Sequence, residues 1–194
     1  MMSSGAIRIV IFGAPGSGKG SQSKLLSERL GLVHISTGDI LRDAVKSGSE
    51  LGKKVQTIID AGNLVSDDLV TELVRERLGR FSEKDSFILD GFPRNISQTK
   101  SLDEMLIKSG IPINKVIKLD VPEEVILERI KGRFAEGGAL RADDDIKIAR
   151  KRQRIYQSEV VPIVDYYRSK PVFSAVNGVG KLEDVYERIL KVLP

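Results

Sequence analysis

The sequence has no cysteine, no tryptophan and a single histidine among its 194 residues. Without cysteine there is no disulfide framework, no thiolate metal site and no cysteine nucleophile. No apolar run approaches the roughly 18 residues that a membrane-spanning helix needs. Residues 1–12 lack the basic segment and the small-residue cleavage site of a signal peptide. We therefore expect a cytoplasmic protein that does not enter a membrane.

The charges are nearly balanced, with 31 basic and 27 acidic residues and a net charge of +4. This small excess suggests anionic partners, but it is far from the basic stripe of a nucleic-acid-binding domain. Six Phe and four Tyr provide few stacking platforms for bases. We expect small-molecule ligands and no nucleic acid. A hydrophobic fraction of 41% fits one globular domain with its own core.

Short apolar segments alternate with segments of helical periodicity along the whole chain. Five segments are predicted as strands, at residues 7–12, 32–36, 86–90, 115–122 and 171–176. Helices are predicted between them, with Asp39 and either Ser66 or Asp67 as N-caps and with Gly31, Gly48 and Gly110 as stops. A long helix from residue 143 to about 168 should bend or break at Pro162. This alternation predicts an α/β fold with a five-stranded parallel sheet between helical layers.

The stretch "VIFGAPGSGKGSQ", residues 10–22, matches the pattern G-x-x-x-x-G-K of a phosphate-binding P-loop. It follows a predicted strand and precedes a predicted helix, which is the context that the motif requires. Glycines let successive backbone N–H groups curl around phosphate oxygens without obstruction by side chains. The positive end of the helix and the Lys19 ammonium then face the β- and γ-phosphates.

The motif departs from the common form directly after Lys19, where Gly20 replaces the serine or threonine that usually binds Mg²⁺. Ser21 comes one position later. Direct ligation of the metal by a hydroxyl is therefore in doubt, and we expect Mg²⁺ to be held through water. Asp90, at the end of the third predicted strand, is the candidate carboxylate; the competing interpretation is a turn residue that caps "GFP".

Five stretches, in order along the chain and beginning with the P-loop itself, make the prediction specific: "GAPGSGKGSQ", "STGDILR", "DGFPRNISQ", "RADD" and "RKRQRIY". Together they closely resemble the nucleoside monophosphate kinases and, among these, the adenylate kinases, over residues 7–193. The resemblance implies a three-layer α/β/α P-loop NTPase fold. It also implies reversible Mg²⁺-dependent transfer of the ATP γ-phosphoryl group to AMP, giving two ADP.

The resemblance assigns residues to an ATP-binding and an AMP-binding site. The ATP-binding residues are Gly16, Ser17, Gly18, Lys19, Gly20, Ser21, Arg129, Arg133 and Gly180. The AMP-binding residues are Thr37, Arg42, Asn63, Leu64, Val65, Gly91, Arg94, Gln98, Arg141 and Arg152. The catalytic residues among them are Lys19, Arg94, Arg133, Arg141 and Arg152. Arginine suits this chemistry because two phosphate chains bring about six negative charges into one site, and a guanidinium grips phosphate bidentately.

By resemblance, residues 36–65 form a small helical segment that binds the nucleoside monophosphate, and residues 133–141 form a short lid, all within one kinase domain, residues 1–194. Long-lid relatives carry a β-rich insertion here, sometimes with a four-ligand zinc site. Only seven residues separate Arg133 from Arg141 in this chain, so we expect the short-lid form without structural zinc. We expect Gly137 and Gly138 to form a lid tip that becomes ordered when nucleotide binds. A monomer is the family's usual form.

Two titratable groups receive no catalytic role. His34, within a predicted strand, is assigned a structural role. The three acids Asp143, Asp144 and Asp145 are interpreted as helix-capping residues, and the resemblance adds that the first two orient lid arginines. The chain shows no catalytic-loop base motif, which is consistent with an acceptor that is already anionic.

Three other functions remain as alternatives. A UMP/CMP kinase would share the fold and chemistry, but those enzymes tend to carry Ala where Thr37 stands and Asn where Gln98 stands. A GTPase-like switch would need an N-K-x-D motif, and "NKVIKLD" has Ile117 at the aspartate position. A kinase of a small hydroxylated metabolite is disfavoured by "STGDILR" and Gln98.

Overall fold

A computed structural model describes residues 5–60, 65–135, 154 and 156–194. Its sheet has five strands, all parallel, in the order β2-β3-β1-β4-β5. The strands are β1 Arg8–Gly13, β2 Val33–Ser36, β3 Phe87–Asp90, β4 Lys115–Asp120 and β5 Phe173–Asn177. The five predicted strands and their parallel arrangement are confirmed, with ends that differ by a few residues.

Eight α-helices lie in the described ranges. They are α1 Lys19–Leu30, α2 Thr37–Ser47, α3 Glu50–Asp60, α4 Asp67–Leu78, α5 Ile96–Lys108, α6 Glu123–Ala135, α7 Val161–Arg168 and α8 Leu182–Leu190. No helix in the described ranges is long and apolar enough to cross a membrane.

The central strand β1 separates two hydrophobic cores. Val10 and Phe12 face one core, which receives side chains from α4, α5 and α7. Ile9 and Ile11 face the other, which is covered by α1 and α8. Because alternate residues of a strand point to opposite faces, a strand that is apolar throughout must be buried on both. The fold is therefore the predicted sandwich of a sheet between two helical layers.

The start of α2 differs from the prediction. Asp39 was predicted to cap this helix, and that prediction is wrong: α2 begins at Thr37 and follows the extended residue Ser36, with φ −102° and ψ 130°. Strand β2 ends at Ser36 and continues into α2 without an intervening loop, so Asp39 already lies in the first turn. Gly48 ends α2 in the left-handed conformation, with φ 64°, as predicted.

Helices α2 and α3 form a small outlying pair. A Cβ atom at Gly52 would overlap the carbonyl oxygen of Ala44, so glycine permits the close approach of the two helices. Among the side chains described here, only Thr37 of α2 and Val55 of α3 are buried. This pair therefore shares little of the main core, and the separate small segment expected at residues 36–65 stays a prediction.

The predicted long helix after residue 143 is described only in its last part. Residues Tyr156–Val160 form a π-helical turn, and α7 begins at Val161 with Pro162 in its first turn. Proline fits a first turn, where its missing N–H group would have no helical partner. The interruption predicted at Pro162 is therefore present.

Helix α7 is joined to α5 by a polar cluster. Asp103 accepts hydrogen bonds from the hydroxyls of Tyr166 at 3.1 Å and Tyr167 at 2.7 Å and from Lys170 Nζ at 2.9 Å. Burial, together with the bond to Asp103, raises the pKa of Tyr167. For Lys170, burial alone would lower the pKa, but bonds to Tyr166 and Asp103 raise it overall. The cluster thus joins α7 and the following Lys170 to α5.

Candidate active site

The carboxyl ends of the strands form one edge at which most of the predicted site residues gather. A cleft of about 670 Å³ lies there, and its lining includes residues 16–22, Asp90, Arg129, Gly178 and Gly180. Parallel sheets place the loops after their strands on one side, and ligands of open α/β proteins bind at such an edge. We call this space the donor cleft.

The P-loop between β1 and α1 has the backbone that the sequence predicts. Gly16 and Gly18 have φ values of 86° and 93°, which side chains other than glycine rarely allow. Gly13 is needed for a different reason, since a Cβ atom there would overlap Ser17 Oγ. The Ser17 hydroxyl is buried and has no hydrogen-bond partner among the described residues. The loop thus turns tightly enough to bring the Ser17 side chain against Gly13.

Lys19 stands at the first position of α1 and lines the donor cleft. The first turn of α1 carries no acidic side chain, so nothing in that turn neutralises the positive end of the helix. Gly20 and Ser21 follow on the exposed side of the same turn and also line the cleft. The helix start, the ammonium group and the loop together make a site for anions.

Arg129 of α6 links the P-loop to the loop after β5. Its Nη1 donates to the carbonyl of Ser17 at 2.8 Å, and its Nη2 donates to Gly178 at 2.8 Å and, more weakly, to Gly180 at 3.5 Å. The predicted ATP-binding residues Arg129 and Gly180 therefore lie together beside the P-loop. The bracing of main-chain carbonyls by Arg129 was not predicted, because a sequence motif gives no carbonyl positions.

Two further residues, neither of which was predicted to have a role, bond to main-chain carbonyls at or after the end of β5. Buried Gln22 of α1 donates through Nε2 to the carbonyl of Leu182 at 2.8 Å. Arg188 of α8 donates through Nη1 to the carbonyls of Asn177 at 2.9 Å and Val179 at 2.6 Å. Gln22 belongs to the quoted P-loop stretch, but Arg188 lies in a helix without a motif.

Asp90 ends β3 and lines the donor cleft, with 13% of its side chain exposed. Its Oδ2 atom lies 3.6 Å from the position that a Cβ atom of Gly20 would occupy. His34 Nε2 is 3.6 Å from the same oxygen, which is too long for a hydrogen bond. His34 therefore sits beside the predicted metal-binding carboxylate, a neighbour that the sequence analysis did not anticipate.

The donor set around Asp90 fits Mg²⁺ held largely through water. Within the described ranges, no three acidic or histidine side chains cluster to form a cage for a metal ion. Mg²⁺ typically keeps several waters and binds through one or two carboxylates together with substrate phosphates. A single carboxylate facing a phosphate-binding loop provides that arrangement.

A second group of predicted residues meets directly after Asp90. Thr37 is 3% exposed, and its hydroxyl donates to the carbonyl of Gly91 at 3.3 Å. Arg94 donates through Nε to the same carbonyl at 2.9 Å and through Nη2 to Thr37 Oγ1 at 3.2 Å. Gly91 has φ 84°, and a Cβ atom there would stand 2.8 Å from the threonine oxygen. Thr37, Gly91 and Arg94, which were all predicted to bind AMP, therefore form one hydrogen-bonded unit.

Gln98 lies beside this unit and is 3% exposed. Its Oε1 accepts from the backbone N–H of Arg94 at 2.7 Å, and its Nε2 donates to Asp67 Oδ1 at 2.9 Å. Asn95, the N-cap of α5, accepts from the backbone N–H of Gln98 at 2.9 Å and donates to Asp67 Oδ2 at 2.6 Å. Asp67 was predicted only as a candidate helix cap. Ser66 is the cap of α4, and the Asp67 carboxylate instead accepts hydrogen bonds from Gln98 and Asn95.

The remaining predicted residues are less closely associated or lie outside the described residues. Arg42 is exposed and pairs with Asp39 at 2.5 Å, and this hydrogen bond lowers the pKa of Asp39. Val65 packs, partly buried, against the main core. Asn63, Leu64, Gly137, Gly138, Arg141, Asp143, Asp144, Asp145 and Arg152 lie outside the described residues, as does the side chain of Arg133.

The end of β3 connects the two groups of residues. Asp90 lines the donor cleft, and the next residue, Gly91, accepts hydrogen bonds from Thr37 and Arg94. The donor cleft and the Thr37–Arg94 unit thus meet at consecutive residues of one strand end. Such an arrangement can bring two phosphate-bearing ligands together, which a single P-loop does not do.

Comparison with known proteins agrees with this geometry. The family model described as "Adenylate kinase" matches residues 11–172. The chain is 44% identical over 187 residues to a protein named adenylate kinase from Stenotrophomonas maltophilia strain R551-3, covering 96% of this chain and 99% of that one. It is 44% identical over 189 residues to an adenylate kinase of Deinococcus deserti, covering 95% of each chain. It is also 41% identical over 184 residues to an adenylate kinase of Phocaeicola vulgatus, covering 95% and 96%.

Proposed function

This chain belongs to the adenylate kinase family and is a phosphotransferase, and we propose that it transfers the γ-phosphoryl group of ATP to AMP across the end of β3. The observation that carries the proposal is the placement of Asp90 and Gly91. One faces the P-loop cleft, and the other joins the Thr37–Arg94 unit. ATP occupies the donor cleft, AMP occupies the neighbouring side, and the products are two molecules of ADP.

The donor cleft binds the ATP phosphates through Gly16, Ser17, Gly18, Lys19, Gly20 and Ser21. The backbone N–H groups of the curled loop and the start of α1 bind oxygens of the β- and γ-phosphates. The Lys19 ammonium stabilises charge that develops on the transferred group. Arg129 holds the P-loop and the residues around Gly180 at fixed positions relative to each other. The adenine then contacts the backbone near Gly180.

Mg²⁺ accompanies ATP and, when bound, supplies charge neutralisation at its β- and γ-phosphates. Asp90 would hold the hydrated ion, because its carboxylate lines the cleft beside Gly20. Because Gly20 has no hydroxyl, the next one along the chain is that of Ser21 in α1, one position later than in the common motif.

The acceptor side positions the AMP phosphate by charge and the adenine by hydrogen bonds. Two of the five N–H groups of Arg94 donate to Gly91 and Thr37, which leaves the other three for the phosphate. By family resemblance, Arg42, Arg141 and Arg152 complete the cations of this side, Arg133 belongs to the ATP side, and the backbone around Asn63, Leu64 and Val65 lines the base pocket. The attacking phosphate oxygen is already anionic, so this chemistry needs no general base.

We further propose that residues 36–65 move as the AMP-binding segment and that residues 133–141 close as a short lid. Closure would exclude water that could otherwise accept the phosphoryl group. A monomeric state and a cytoplasmic location complete the proposal. Light scattering on the purified protein and fractionation of cells test these two points.

A coupled assay of ADP formation tests the function. The purified protein is given MgATP with AMP, UMP, CMP or GMP in turn. We expect AMP to be used with the highest kcat/KM by at least tenfold, a difference that one well-formed hydrogen-bond pattern can supply. Comparable rates with UMP or CMP would overturn the assignment of AMP as the acceptor.

A further inference from the structure

We propose that Asp67 is a specificity-determining residue that fixes the orientation of the Gln98 side-chain amide and so makes the acceptor site selective for a 6-aminopurine. The inference rests on the proposed function, in which Gln98 binds the base of AMP. Asp67 does not touch the substrate in this account and acts only through Gln98. It lies 31 residues from Gln98 in sequence, yet the two side chains are hydrogen-bonded at 2.9 Å.

Two bonds of opposite polarity determine which way the amide points. The backbone N–H of Arg94 can only donate, and it faces Gln98 Oε1 at 2.7 Å. The Asp67 carboxylate can only accept, and it faces Gln98 Nε2 at 2.9 Å. A rotation of the amide by 180° would place two donors together at Arg94 and two acceptors together at Asp67. The network therefore excludes the flipped amide.

Asn95 holds the carboxylate in place from its other side. Its Oδ1 accepts from the backbone N–H of Gln98, so its Nδ2 group is directed to Asp67 Oδ2 at 2.6 Å. Each oxygen of Asp67 thus takes one amide N–H. An asparagine at position 67 has the same shape but only one acceptor oxygen, so it satisfies one of the two donors and opposes the other.

The fixed amide matters because purines differ in polarity at position 6. Gln98 keeps one lone pair on Oε1 and one hydrogen on Nε2 for a base. Adenine presents an amino donor beside a ring-nitrogen acceptor, which matches an amide of given orientation. Hypoxanthine presents a carbonyl acceptor and a ring N–H donor, the reverse pattern. An amide that could rotate by 180° would hydrogen-bond to both bases, whereas an amide held in one orientation pairs with only one of them.

The test compares the dissociation constants of AMP and inosine 5′-monophosphate for wild-type protein, Asp67→Asn and Asp68→Asn, by isothermal titration calorimetry. Asp68 is the matched control, because it lies in the same first turn of α4 and is not hydrogen-bonded to Gln98 or Asn95. Together with Asp67, Asn95 and Gln98 it lines a groove between α4 and α5. We expect the preference for AMP to fall about tenfold in Asp67→Asn, the effect of losing one charge-assisted hydrogen bond. The preference of Asp68→Asn should match the wild type.

Two further measurements separate positioning from general damage. The kcat of Asp67→Asn at saturating AMP should stay within about twofold of wild type, since the transferred group is bound elsewhere. In a Gln98→Leu background, adding Asp67→Asn should leave the AMP preference unchanged, because the residue through which Asp67 acts is absent.

An Asp67→Asn protein with the wild-type preference for AMP would overturn the inference, as would an equal loss in Asp68→Asn or a further loss in the Gln98→Leu background. A fall of kcat in step with the preference would also overturn it, because that would indicate general distortion. If the wild-type protein bound no AMP at all, the proposed function would fall first, and the inference with it.

Discussion

The donor and acceptor sides of the site are built in different ways. On the donor side, main-chain groups form the site, and Arg129, Gln22 and Arg188 brace its loops through carbonyl oxygens. On the acceptor side, hydrogen bonds run mainly through side chains. Thr37 bonds to the Arg94 guanidinium, the Arg94 backbone N–H donates to the Gln98 amide, and that amide donates to Asp67. A main-chain cradle suits phosphates, which are common to all nucleotides. A side-chain network suits a base, whose edge must be distinguished from others.

The two sides also differ in their attachment to the core. Helix α1 follows the P-loop and packs Leu26 into the core shared with α8. Helices α2 and α3 carry mostly exposed side chains and approach each other at Gly52. Helix α1 is thus anchored in a core beside the sheet, whereas α2 and α3 contribute few buried side chains. Variants on each side should therefore affect different substrates.

Removing the donor-side cation should have the largest effect on turnover. Lys19→Met should lower kcat by about 10²–10³, the usual loss for one group that stabilises transition-state charge. The melting temperature should stay close to wild type, because the Lys19 side chain is partly exposed. The measurement is ADP formation at saturating ATP and AMP, with Lys100→Met on the exposed face of α5 as control. A kcat within fivefold of wild type would contradict the placement of Lys19.

The acceptor-side arginine should come next. Arg94→Ala should lower kcat/KM for AMP by roughly 10², because the bidentate cation for the AMP phosphate is lost. KM for ATP should change little, and circular dichroism should show a folded protein. Arg80→Ala serves as control, since Arg80 is exposed and pairs only with Glu76 at 2.7 Å among the described residues. Near-normal activity of Arg94→Ala with AMP would contradict the proposed difference between the donor and acceptor sides.

A brace on the donor side should have a smaller and more selective effect. Arg129→Met removes the bonds to Ser17 and Gly178 and should raise KM for ATP about tenfold, the result of losing about one charge-assisted hydrogen bond. KM for AMP should remain within about twofold. Arg168→Met, at an exposed arginine of α7 paired with Asp165, should change neither constant. Equal changes in both KM values would show that the two sides are not separately built.

The smallest effect on activity is expected far from both sides. Tyr167→Phe removes the 2.7 Å bond to Asp103 and should lower the free energy of unfolding by about 1.5 kcal/mol, with both KM values unchanged. The folded protein raises the pKa of Tyr167 above its unfolded value of about 10. The hydroxyl's contribution is therefore fully present below about pH 10 and lost only as pH rises through the folded pKa. Urea titrations between about pH 6 and pH 9 should give a constant difference; a difference that varied there would contradict this account.

The sequence predicted the donor side better than the acceptor side, and the reason is physical. The P-loop depends on local backbone conformation, so its glycines and Lys19 reveal it directly. The relation of Asp67 to Gln98 depends on the packing of α4 against α5, which no local pattern reports. The wrong cap at Asp39 has a similar cause: a local preference for aspartate was outweighed by the direct continuation of β2 into α2.

The central claim is that one site holds two nucleotides and passes a phosphoryl group between them. Phosphorus NMR on the protein mixed with MgADP alone tests this claim most directly. The account predicts that ATP and AMP appear in equal amounts, without inorganic phosphate, and that Arg94→Ala slows both together. Release of inorganic phosphate in place of ATP, or no reaction of ADP, would contradict it.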